Sequence, residues 1–370
     1  MNSLFDRTRI NGMVLENRLV RSATWEGMCD PEGRPGKKLT SLYRELARGG
    51  VGLIITGYTF VSPEGKQLPG KMGIHKDGFA AVMKEMTRAV HDAGSKLCIQ
   101  LVHAGGQTDT QNAGQRPIAP SSVKTDQYPE VPAEMSADNI ATVITAFANG
   151  ARRAQKWGFD AVQIHGAHGY LINQFLSPLT NRRQDKYGGS FENRCRFLIE
   201  VYEAIRSAVG PGFPVMIKLN GSDNIEGGFR IDDAVLTAKV LDSAGIDCIE
   251  VSGGTPASGE LNPVRQKIDS PEKEAYNLPL ARRIKAAVGC PVMVVGGFRS
   301  FTVAEQAIRE TADYISMARP FIREPQLALR WQNGNTSPAS CISCNGCFKP
   351  GLKEGGIYCV VEKKEQEGKK

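Results

Sequence analysis

Residues Ala161–Tyr170 read AVQIHGAHGY, an apolar run followed by a glycine-rich turn that carries two histidines and a tyrosine. The run Ala161–Ile164 predicts a buried strand. Many α/β enzymes present reactive groups on a turn of this kind, because the strand holds the following loop in place. The stretch therefore makes His165, His168 and Tyr170 candidate functional residues.

The two histidines and the tyrosine allow more than one interpretation. Two imidazole N–H groups can hold one carbonyl or carboxylate oxygen and stabilise the negative charge that develops on it. A nearby phenol can donate a proton. Histidines at this spacing are also common zinc ligands, and many such pairs are structural. On this stretch alone, both the catalytic and the structural interpretations stay open.

The pattern of an apolar strand followed by a polar or glycine-rich cluster recurs along the chain. After a hairpin over Thr8–Leu15, with Asn11-Gly12 as its turn, eight strands are expected to alternate with helices. The predicted strands are Arg18–Ser22, Val51–Thr56, Lys96–Val102, Ala161–Ile164, Pro214–Leu219, Asp247–Val251, Pro291–Val295 and Tyr314–Met317. The predicted helices are Leu39–Arg48, Asp77–Ala93, Ser136–Trp157, Ser190–Val209, Ile231–Ala244, Leu278–Val288, Thr302–Glu310 and Pro325–Trp331.

This alternation predicts an α/β fold, a (β/α)8 TIM barrel with an N-terminal hairpin. Strands that are apolar throughout are buried on both faces, as in a parallel sheet covered by helices. Barrels of this kind place their active sites at the carboxyl ends of the strands. Almost every polar cluster in the sequence follows such an end, which favours the catalytic interpretation of His165 and His168.

The composition predicts a soluble globular enzyme with room for a large core. Of 370 residues, 41% are hydrophobic and 23% are charged. The net charge is +7, but the basic residues are scattered apart from Lys363-Lys364 and Lys369-Lys370, which argues against a nucleic-acid partner. No apolar run could cross a bilayer, and the N-terminus lacks the apolar core of a signal peptide. Nine cysteines, an odd number, favour a reducing cytoplasm over a disulfide scaffold.

Two strand ends indicate a phosphate site. Gly296-Gly297 follows the predicted seventh strand and Ala318-Arg319 follows the eighth, where barrels commonly bind phosphate. Glycines let backbone N–H groups approach an anion, and an arginine adds a charged donor; tight turns beside a surface arginine are the alternative. Lys218, at the end of the fifth strand, is expected to face the anionic cofactor. Gln100, inside the third strand, needs a hydrogen-bond partner if it is buried.

Several motifs in fixed order carry a resemblance to one family. Over roughly residues 3–335 the sequence resembles the old yellow enzyme family of FMN-dependent ene-reductases, and such an ordered set is far more specific than any single motif. The motifs are Asn17-Arg18, Arg21-Ser22, Gln100-Leu101, His103-Ala104-Gly105, the run 165–171, Gln174–Pro178, Asn181-Arg182, Asp185, Tyr187–Ser190 and Glu192–Arg194.

The resemblance implies an NAD(P)H:flavin oxidoreductase that reduces the C=C bond of α,β-unsaturated carbonyl or enoate compounds. His165 and His168 would bind the substrate oxygen, and Tyr170 would be the proton donor. Trp25 would lie on the substrate side, where many members have threonine or cysteine, and would narrow the pocket or stack on the substrate. The implied FMN contacts are Ser22, Ala23, Thr24, Gly57 and Gln100 around the ring, Lys218 near N1 and the C2 carbonyl, and Gly297, Ala318 and Arg319 at the phosphate.

A cysteine cluster follows the predicted barrel, so we expect a barrel over residues 1–335 and a Cys-rich tail over 336–370. Cys341, Cys344, Cys347 and Cys359 lie within nineteen residues. This spacing matches [4Fe–4S] ligation, because a compact loop can reach three corners of a cubane. A zinc site and free thiols are the alternatives. The arrangement is similar to that of 2,4-dienoyl-CoA reductase and trimethylamine dehydrogenase, larger iron–sulfur flavoenzymes of the family.

Other functions remain as alternatives at this point. A flavin barrel can also oxidise amines or dihydroorotate, or reduce tRNA, although no basic helical domain for RNA is evident. The Cys-rich tail suggests an alternative function, an FMN/iron–sulfur dehydrogenase or electron-transfer subunit that works with a partner protein. The expected partners are therefore NAD(P)H or a protein electron donor and a small unsaturated substrate, in a monomer or a homo-oligomer.

Overall fold

The apolar strands close into a parallel barrel in a computed structural model, which describes residues 3–124 and 127–368. The sheet closes where Lys96–Val102 pairs with Ala161–Gly166. The predicted TIM barrel is confirmed, and the Lys369-Lys370 pair lies outside the described residues. The barrel strands are Leu19–Arg21, Leu53–Ile55, Lys96–Val102, Ala161–Gly166, Val215–Asn220, Cys248–Ser252, Val292–Val295 and Tyr314–Met317.

Helices cover the outside of the barrel, one after each strand. The helix Ala137–Lys156 begins as predicted, because the side chain of Ser136 accepts the amide hydrogen of Asn139 in a capping box. The helices after the eight strands are Lys37–Arg48, Ala80–His91, Ala137–Lys156, Phe191–Val209, Ile231–Ala244, Leu278–Lys285, Phe301–Glu310 and Leu327–Gln332.

One helix ends earlier than the sequence predicts. The helix Leu278–Lys285 stops three residues before Val288. The carboxylate of Asp242 accepts the amide hydrogens of Gly289 and Cys290, at 3.0 and 2.9 Å. These bonds turn the chain into the next strand, and no pattern within the helix itself signals them.

The predicted N-terminal hairpin closes the amino end of the barrel. Its strands Thr8–Ile10 and Met13–Leu15 pair through an Asn11 turn with φ +50°. Buried side chains of the hairpin pack against inward-facing side chains such as Met216 and Met293. Outward-facing strand residues pack under the helices. The strands are therefore buried on both faces, as their apolar sequences predict.

The Cys-rich tail folds back over the carboxyl end of the barrel. It contains two short helices, Phe348–Lys353 and Val360–Glu367. The amide of Ile357 donates to the carbonyl of Glu26 at 2.9 Å, and an added Cβ on Gly27 would lie only 2.6 Å from the carbonyl oxygen of Gly351. The tail thus packs against the loop after the first barrel strand.

The loops contain further short strands, helices and turns. The short strands are Thr59–Phe60, Met72–Gly73, Ile118–Ala119 and Ala133–Glu134. The short α-helices are Thr110–Ala113, Leu171–Leu176 and Arg319–Arg323, and the 3₁₀ turns are Pro63–Gly65, Asp77–Phe79, Gly259–Leu261 and Pro271–Lys273. Within the described ranges, none of the helices has the length and apolar character needed to cross a membrane.

Candidate active site

The carboxyl ends of the barrel strands surround one cavity that brings together most of the residues predicted to be functional. It encloses about 1060 Å³ of empty space, its open mouth included. Strands far apart in sequence contribute to its wall, as in other barrel enzymes. The predicted residues on this wall are Ser22, Ala23, Thr24, Trp25, Gln100, His165, His168, Tyr170, Lys218, Gly297, Ala318 and Arg319.

His165, His168 and Tyr170 form one cluster of rings at the end of the fourth barrel strand. The ring centroids of His165 and His168 lie 5.1 Å apart, and those of His165 and Tyr170 lie 4.9 Å apart. His168 has a φ of +61°, a left-handed conformation that is rare for residues with side chains. Its amide donates to Oδ1 of Asn220 at 3.3 Å, and its Nε2 lies 2.7 Å from Oγ of Ser252. These contacts hold the turn in place.

Both imidazoles are neutral at pH 7. Burial lowers the pKa of His165 well below its usual value, and the neighbouring His168 and Lys218 lower it further. Burial, followed by the charge of Lys218, lowers the pKa of His168 to about 3. Nδ1 of His165 accepts the amide hydrogen of Ala167 at 3.3 Å, so the ring proton lies on Nε2. His165 therefore offers an Nε2–H donor.

The phenol of Tyr170 keeps its proton over the ordinary pH range. Burial raises its pKa far above the usual value, and the hydrogen bond with Gln67 only partly opposes this. The hydroxyl donates to Oε1 of Gln67 at 2.7 Å, and the ring packs edge-on against Tyr58 at 5.1 Å. Tyr170 is thus a positioned and protonated group beside the two imidazoles.

A buried polar network extends from the cavity wall into the barrel interior. Nζ of Lys218 lies 3.2 Å from Oε1 of Glu250 and donates to Oγ of Ser22 at 2.7 Å. Ser22 in turn donates to Glu250 at 2.6 Å. Gln163 donates to Glu250 at 2.7 Å and accepts a hydrogen bond from Gln100 at 2.8 Å. The predicted partner of Gln100 therefore exists, and it is a second glutamine.

The anion that neutralises Lys218 differs from the one expected. The sequence predicts that Lys218 faces an anionic cofactor, whereas in the structure its ammonium pairs with the carboxylate of Glu250, on the neighbouring strand. Lys218 also lines the cavity, so its role toward FMN stays a prediction. Burial lowers the pKa of Lys218, and Glu250 opposes that shift. A lone glutamate within the apolar strand Cys248–Ser252 was the available signal. The local pattern does not reveal the role of Glu250, because its partners Lys218 and Gln163 lie on other strands.

The far end of the cavity has the features of a phosphate site. Gly297 has a φ of +75°, and a Cβ there would lie 2.9 Å from the ring of Tyr276, so glycine is required. Oγ of Ser316 is buried on the cavity wall without a hydrogen-bond partner among the described residues. Arg319 adds a positive charge, and Arg299, which the sequence analysis missed, lies on the same wall. The residues present therefore fit a phosphorylated cofactor such as FMN.

Gly57 is the one predicted flavin contact in the barrel that does not line the cavity. Its amide donates to Oε1 of Glu26 at 3.1 Å and to the hydroxyl of Tyr43 at 3.2 Å. An added Cβ would lie 2.4 Å from the carbonyl oxygen of Thr24. The structure thus shows a packing reason for this glycine, and its role toward FMN stays a prediction.

The segment from Tyr58 to Lys71 supplies wall residues that the sequence analysis missed. Tyr58 and Lys71 both line the cavity, and Gln67 orients Tyr170. Lys71 is buried and lies over the rings of Tyr58 and Trp25. The segment carries no motif and reads as an ordinary loop, so only the folded chain brings it to the site.

The four tail cysteines lie around a second, smaller cavity of about 330 Å³. Arg319 lines both cavities, and its Nη1 donates to Oδ1 of Asn345 in the cysteine loop at 2.6 Å. Nη1 of Arg323 lies 3.6 Å from Sγ of Cys359. Across the described ranges, no three His, Cys, Asp or Glu side chains form a group that could hold a single metal ion. The cysteines on the cavity wall are Cys341, Cys344, Cys347 and Cys359.

A barrel whose cavity combines a histidine pair with residues that fit a phosphate is consistent with a flavin-dependent oxidoreductase. The chain belongs to the NADH:flavin oxidoreductase / NADH oxidase family, whose sequence profile matches residues 3–337. The resemblance to old yellow enzymes is thereby confirmed. An old yellow enzyme homologue from Zymomonas mobilis superposes with a TM-score of 0.78 at 28% identity, over 92% of this chain and 96% of that one.

Two longer relatives match almost the whole chain. The NADH oxidase of Thermoanaerobacter brockii is 37% identical over 353 residues, which cover 94% of this chain and 53% of that protein. A 2-naphthoyl-CoA reductase, solved with 2-naphthoyl-CoA, superposes with a TM-score of 0.89 at 29% identity. That match covers 97% of this chain and 56% of the reductase. The chain thus spans about half the length of these relatives.

We expect the substitution Arg319→Ala to weaken FMN retention by about 1.5–3 kcal/mol, the scale of a hydrogen bond to a charged group. FMN released on dilution and measured by fluorescence gives the affinity. Arg323→Ala is the matched control, because Arg323 contacts Cys359 and Glu365 instead of the cavity. Equal FMN affinity in the wild type and Arg319→Ala would contradict the assignment of the phosphate site.

Glu250→Gln should lower the free energy of unfolding by about 3–5 kcal/mol, since it leaves the buried Lys218 without its counter-charge. Urea denaturation measures this loss. The double variant Glu250→Gln/Lys218→Met should recover much of it, because it removes the uncompensated charge. Additive losses in the double variant would show that the two side chains do not form a coupled pair.

The stability loss of Glu250→Gln should shrink as the pH rises. Without Glu250, the pKa of Lys218 in the folded state falls further below its usual value of 10.5. The unfolded chain then binds a proton that the folded chain lacks, so the free energy of unfolding increases with pH below that value. A loss that is constant between pH 7 and pH 10 would contradict this explanation.

Proposed function

We propose that the protein is an FMN-dependent NAD(P)H oxidoreductase that reduces the C=C bond of α,β-unsaturated carbonyl or enoate compounds. The observation that carries the proposal is the contact of His165, His168 and Tyr170 on the wall of one cavity. When bound, FMN supplies the hydride chemistry. Membership of the family supports FMN as the cofactor, and the NADH oxidase relative supports a nicotinamide donor.

The histidine pair would bind the carbonyl oxygen of the substrate. Because both imidazoles are neutral, they can donate N–H groups without a counter-charge of their own. His165 offers Nε2–H, and His168 can offer Nδ1–H when the hydroxyl of Ser252 donates to its Nε2. Two such donors stabilise the negative charge that develops on the oxygen as the C=C bond is reduced.

Tyr170 would donate the proton that completes the reduction. Its phenol is held by Gln67 and by ring contacts with His165 and Tyr58, so it stays close to an oxygen bound between the histidines. A phenol with a raised pKa remains protonated until negative charge builds up on the neighbouring carbon. Trp25, on the same wall, would narrow the substrate side.

We also propose that residues 1–335 form the FMN barrel and that the tail over 336–370 holds a [4Fe–4S] cluster on Cys341, Cys344, Cys347 and Cys359. A single zinc ion draws its four sulfur ligands to one point. In a cubane each cysteine binds its own iron, so the sulfurs stand further apart. The four cysteines are spread around the wall of one cavity, and this arrangement and their spacing in the sequence favour the cluster.

A second candidate function is electron transfer with a partner protein. It rests on Arg319, which lines both cavities and bonds to the cysteine loop, so that the tail adjoins the proposed phosphate end of the FMN site. Electrons from a protein donor could then enter through the cluster. The proton donor Tyr170 in an open cavity favours the reductase over a pure electron carrier.

Tyr170→Phe should slow reduction of an enone such as 2-cyclohexenone by ~10²–10⁴-fold, the usual contribution of general acid catalysis. Stopped-flow measurement separates this step from flavin reduction by NADH, which should stay close to wild type. Tyr187→Phe is the control, because that hydroxyl contacts Glu200 outside the cavity. A variant that lost only flavin reduction would contradict the role of Tyr170.

Anaerobically purified protein should contain about four iron and four sulfide ions per chain. Cys347→Ser should remove them, whereas Cys29→Ser, a thiol outside the cysteine cavity, should retain them. If the cluster carries electrons, Cys347→Ser should also abolish reduction by a ferredoxin-like donor and preserve reduction by NADH. Stoichiometric zinc, or no metal at all, would contradict the cluster.

A further inference from the structure

Lys71 is a buried cation on the cavity wall. Only 4% of its surface is exposed, and its Nζ lies 4.2 Å from the ring centroid of Tyr58 and 5.8 Å from that of Trp25. Within residues 3–124 and 127–368, this ammonium has neither a hydrogen-bond acceptor nor an ion-pair partner, and it stays open to the cavity. Lysines are almost never buried without a partner. Such a side chain on a cavity wall indicates that its partner is a ligand.

The other charges near Lys71 already have partners. The carboxylate of Glu26 accepts hydrogen bonds from the hydroxyl of Tyr43 and the amide of Gly57, and its Oε1 lies 2.8 Å from Nη2 of Arg21. Lys218 pairs with Glu250. Among the described residues, the carboxylates near Lys71 are therefore engaged elsewhere, which leaves its ammonium available to an anionic ligand in the cavity.

A row of aromatic contacts connects Lys71 to the proposed reaction site. Lys71 lies over Tyr58, the ring of Tyr58 contacts Tyr170 at 5.1 Å, and Tyr170 contacts His165 at 4.9 Å. Lys71, Trp25 and the histidine pair line the same cavity. A molecule whose carbonyl oxygen lies at the histidines can therefore extend along these rings toward Lys71.

We propose that Lys71 is a substrate-binding residue that pairs with a carboxylate of an α,β-unsaturated carbonyl compound, whose carbonyl oxygen lies at His165 and His168. This inference rests on the proposed function and narrows its substrate class to anionic compounds. Ammonium–carboxylate hydrogen bonds in a buried site are strong and directional. The aromatic wall formed by Tyr58 and Trp25 would hold the apolar part of the substrate between the two polar ends.

The test compares an acid with its ester on the FMN-loaded enzyme. 4-Oxo-2-pentenoate and its methyl ester share the same enone, and only the acid carries a negative charge; their difference in intrinsic reactivity cancels when the wild type and a variant are compared. The ratio of kcat/KM for the acid over the ester should fall by about tenfold or more in Lys71→Met, the scale of a lost charge-assisted hydrogen bond. Lys71→Arg, which keeps the charge, should recover most of that ratio.

Lys66→Met is the matched control, because Lys66 belongs to the same segment but bonds to the carbonyl of Pro31 outside the cavity. Its acid-over-ester ratio should equal that of the wild type. An equal loss for acid and ester in Lys71→Met would overturn the proposal and leave Lys71 a structural role. A loss confined to flavin reduction by NADH or NADPH would also overturn it, since Lys71 would then bind the phosphates of the nicotinamide cofactor.

The pH dependence of the wild type provides a test that needs no variant. Burial lowers the pKa of Lys71 to about 7, and Glu26 partly opposes this. The other groups that face Lys71 are neutral here, because burial lowers the pKa of His165 and raises that of Tyr58. The kcat/KM for the acid should therefore fall as the pH rises through about 7, because Lys71 loses its charge. The kcat/KM for the ester should not show this fall. Parallel profiles for the acid and the ester would contradict the proposal.

A binding measurement separates this inference from the proposed reaction. Calorimetric titration of the oxidised, FMN-loaded wild type should show tighter binding of the acid than of the ester, and Lys71→Met should remove the difference. If neither compound reoxidises the reduced enzyme, the proposed reaction fails and the binding preference still tests Lys71. If the wild type binds acid and ester equally, the role of Lys71 is wrong even when both are reduced.

Discussion

Closure of the parallel sheet is the constraint on which the rest of this molecule depends. When Lys96–Val102 pairs with Ala161–Gly166, the carboxyl ends of eight strands must surround one space. The same closure fixes the register across the barrel, so that His165 lies opposite Lys218 and Lys218 lies opposite Glu250 on successive strands. The site is therefore assembled by the sheet itself, and the loops only complete it.

Within the barrel, ion pairing and burial decide which side chains are charged and which can donate hydrogen bonds. Lys218 and Glu250 neutralise each other, and the two glutamines beneath them satisfy the remaining polar atoms. The same burial keeps His165 and His168 neutral and Tyr170 protonated. One physical effect, desolvation, thus produces a set of hydrogen-bond donors that can face a substrate oxygen.

The tail contributes to the cavity although it lies outside the barrel in sequence. A Cβ added to Gly351 would lie 3.1 Å from the ring of Trp25, and Oδ1 of Asn345 accepts a hydrogen bond from the guanidinium of Arg319. The tail therefore lies against the cavity wall both at Trp25 and at Arg319. Any group held by its four cysteines would therefore be close to the barrel mouth.

The sequence by itself determined the barrel, its hairpin and the positions of most site residues. These features are local: apolar runs of strand length, caps such as Ser136, and polar clusters at strand ends follow from neighbouring residues. Neighbouring residues do not fix the end of a helix where a distant side chain decides it, as Asp242 does for the helix Leu278–Lys285.

Only the tertiary structure decided which partners the buried polar groups take. Gln163 and Glu250 read as isolated polar residues in apolar strands, and Lys71 lies in a segment without a motif. The roles of these residues depend on neighbours that sheet register and barrel closure bring together. Gln163 and Glu250, for example, are 87 positions apart in the sequence. A linear pattern carries no information about such pairs, because the energy of a buried charge depends on what surrounds it in space.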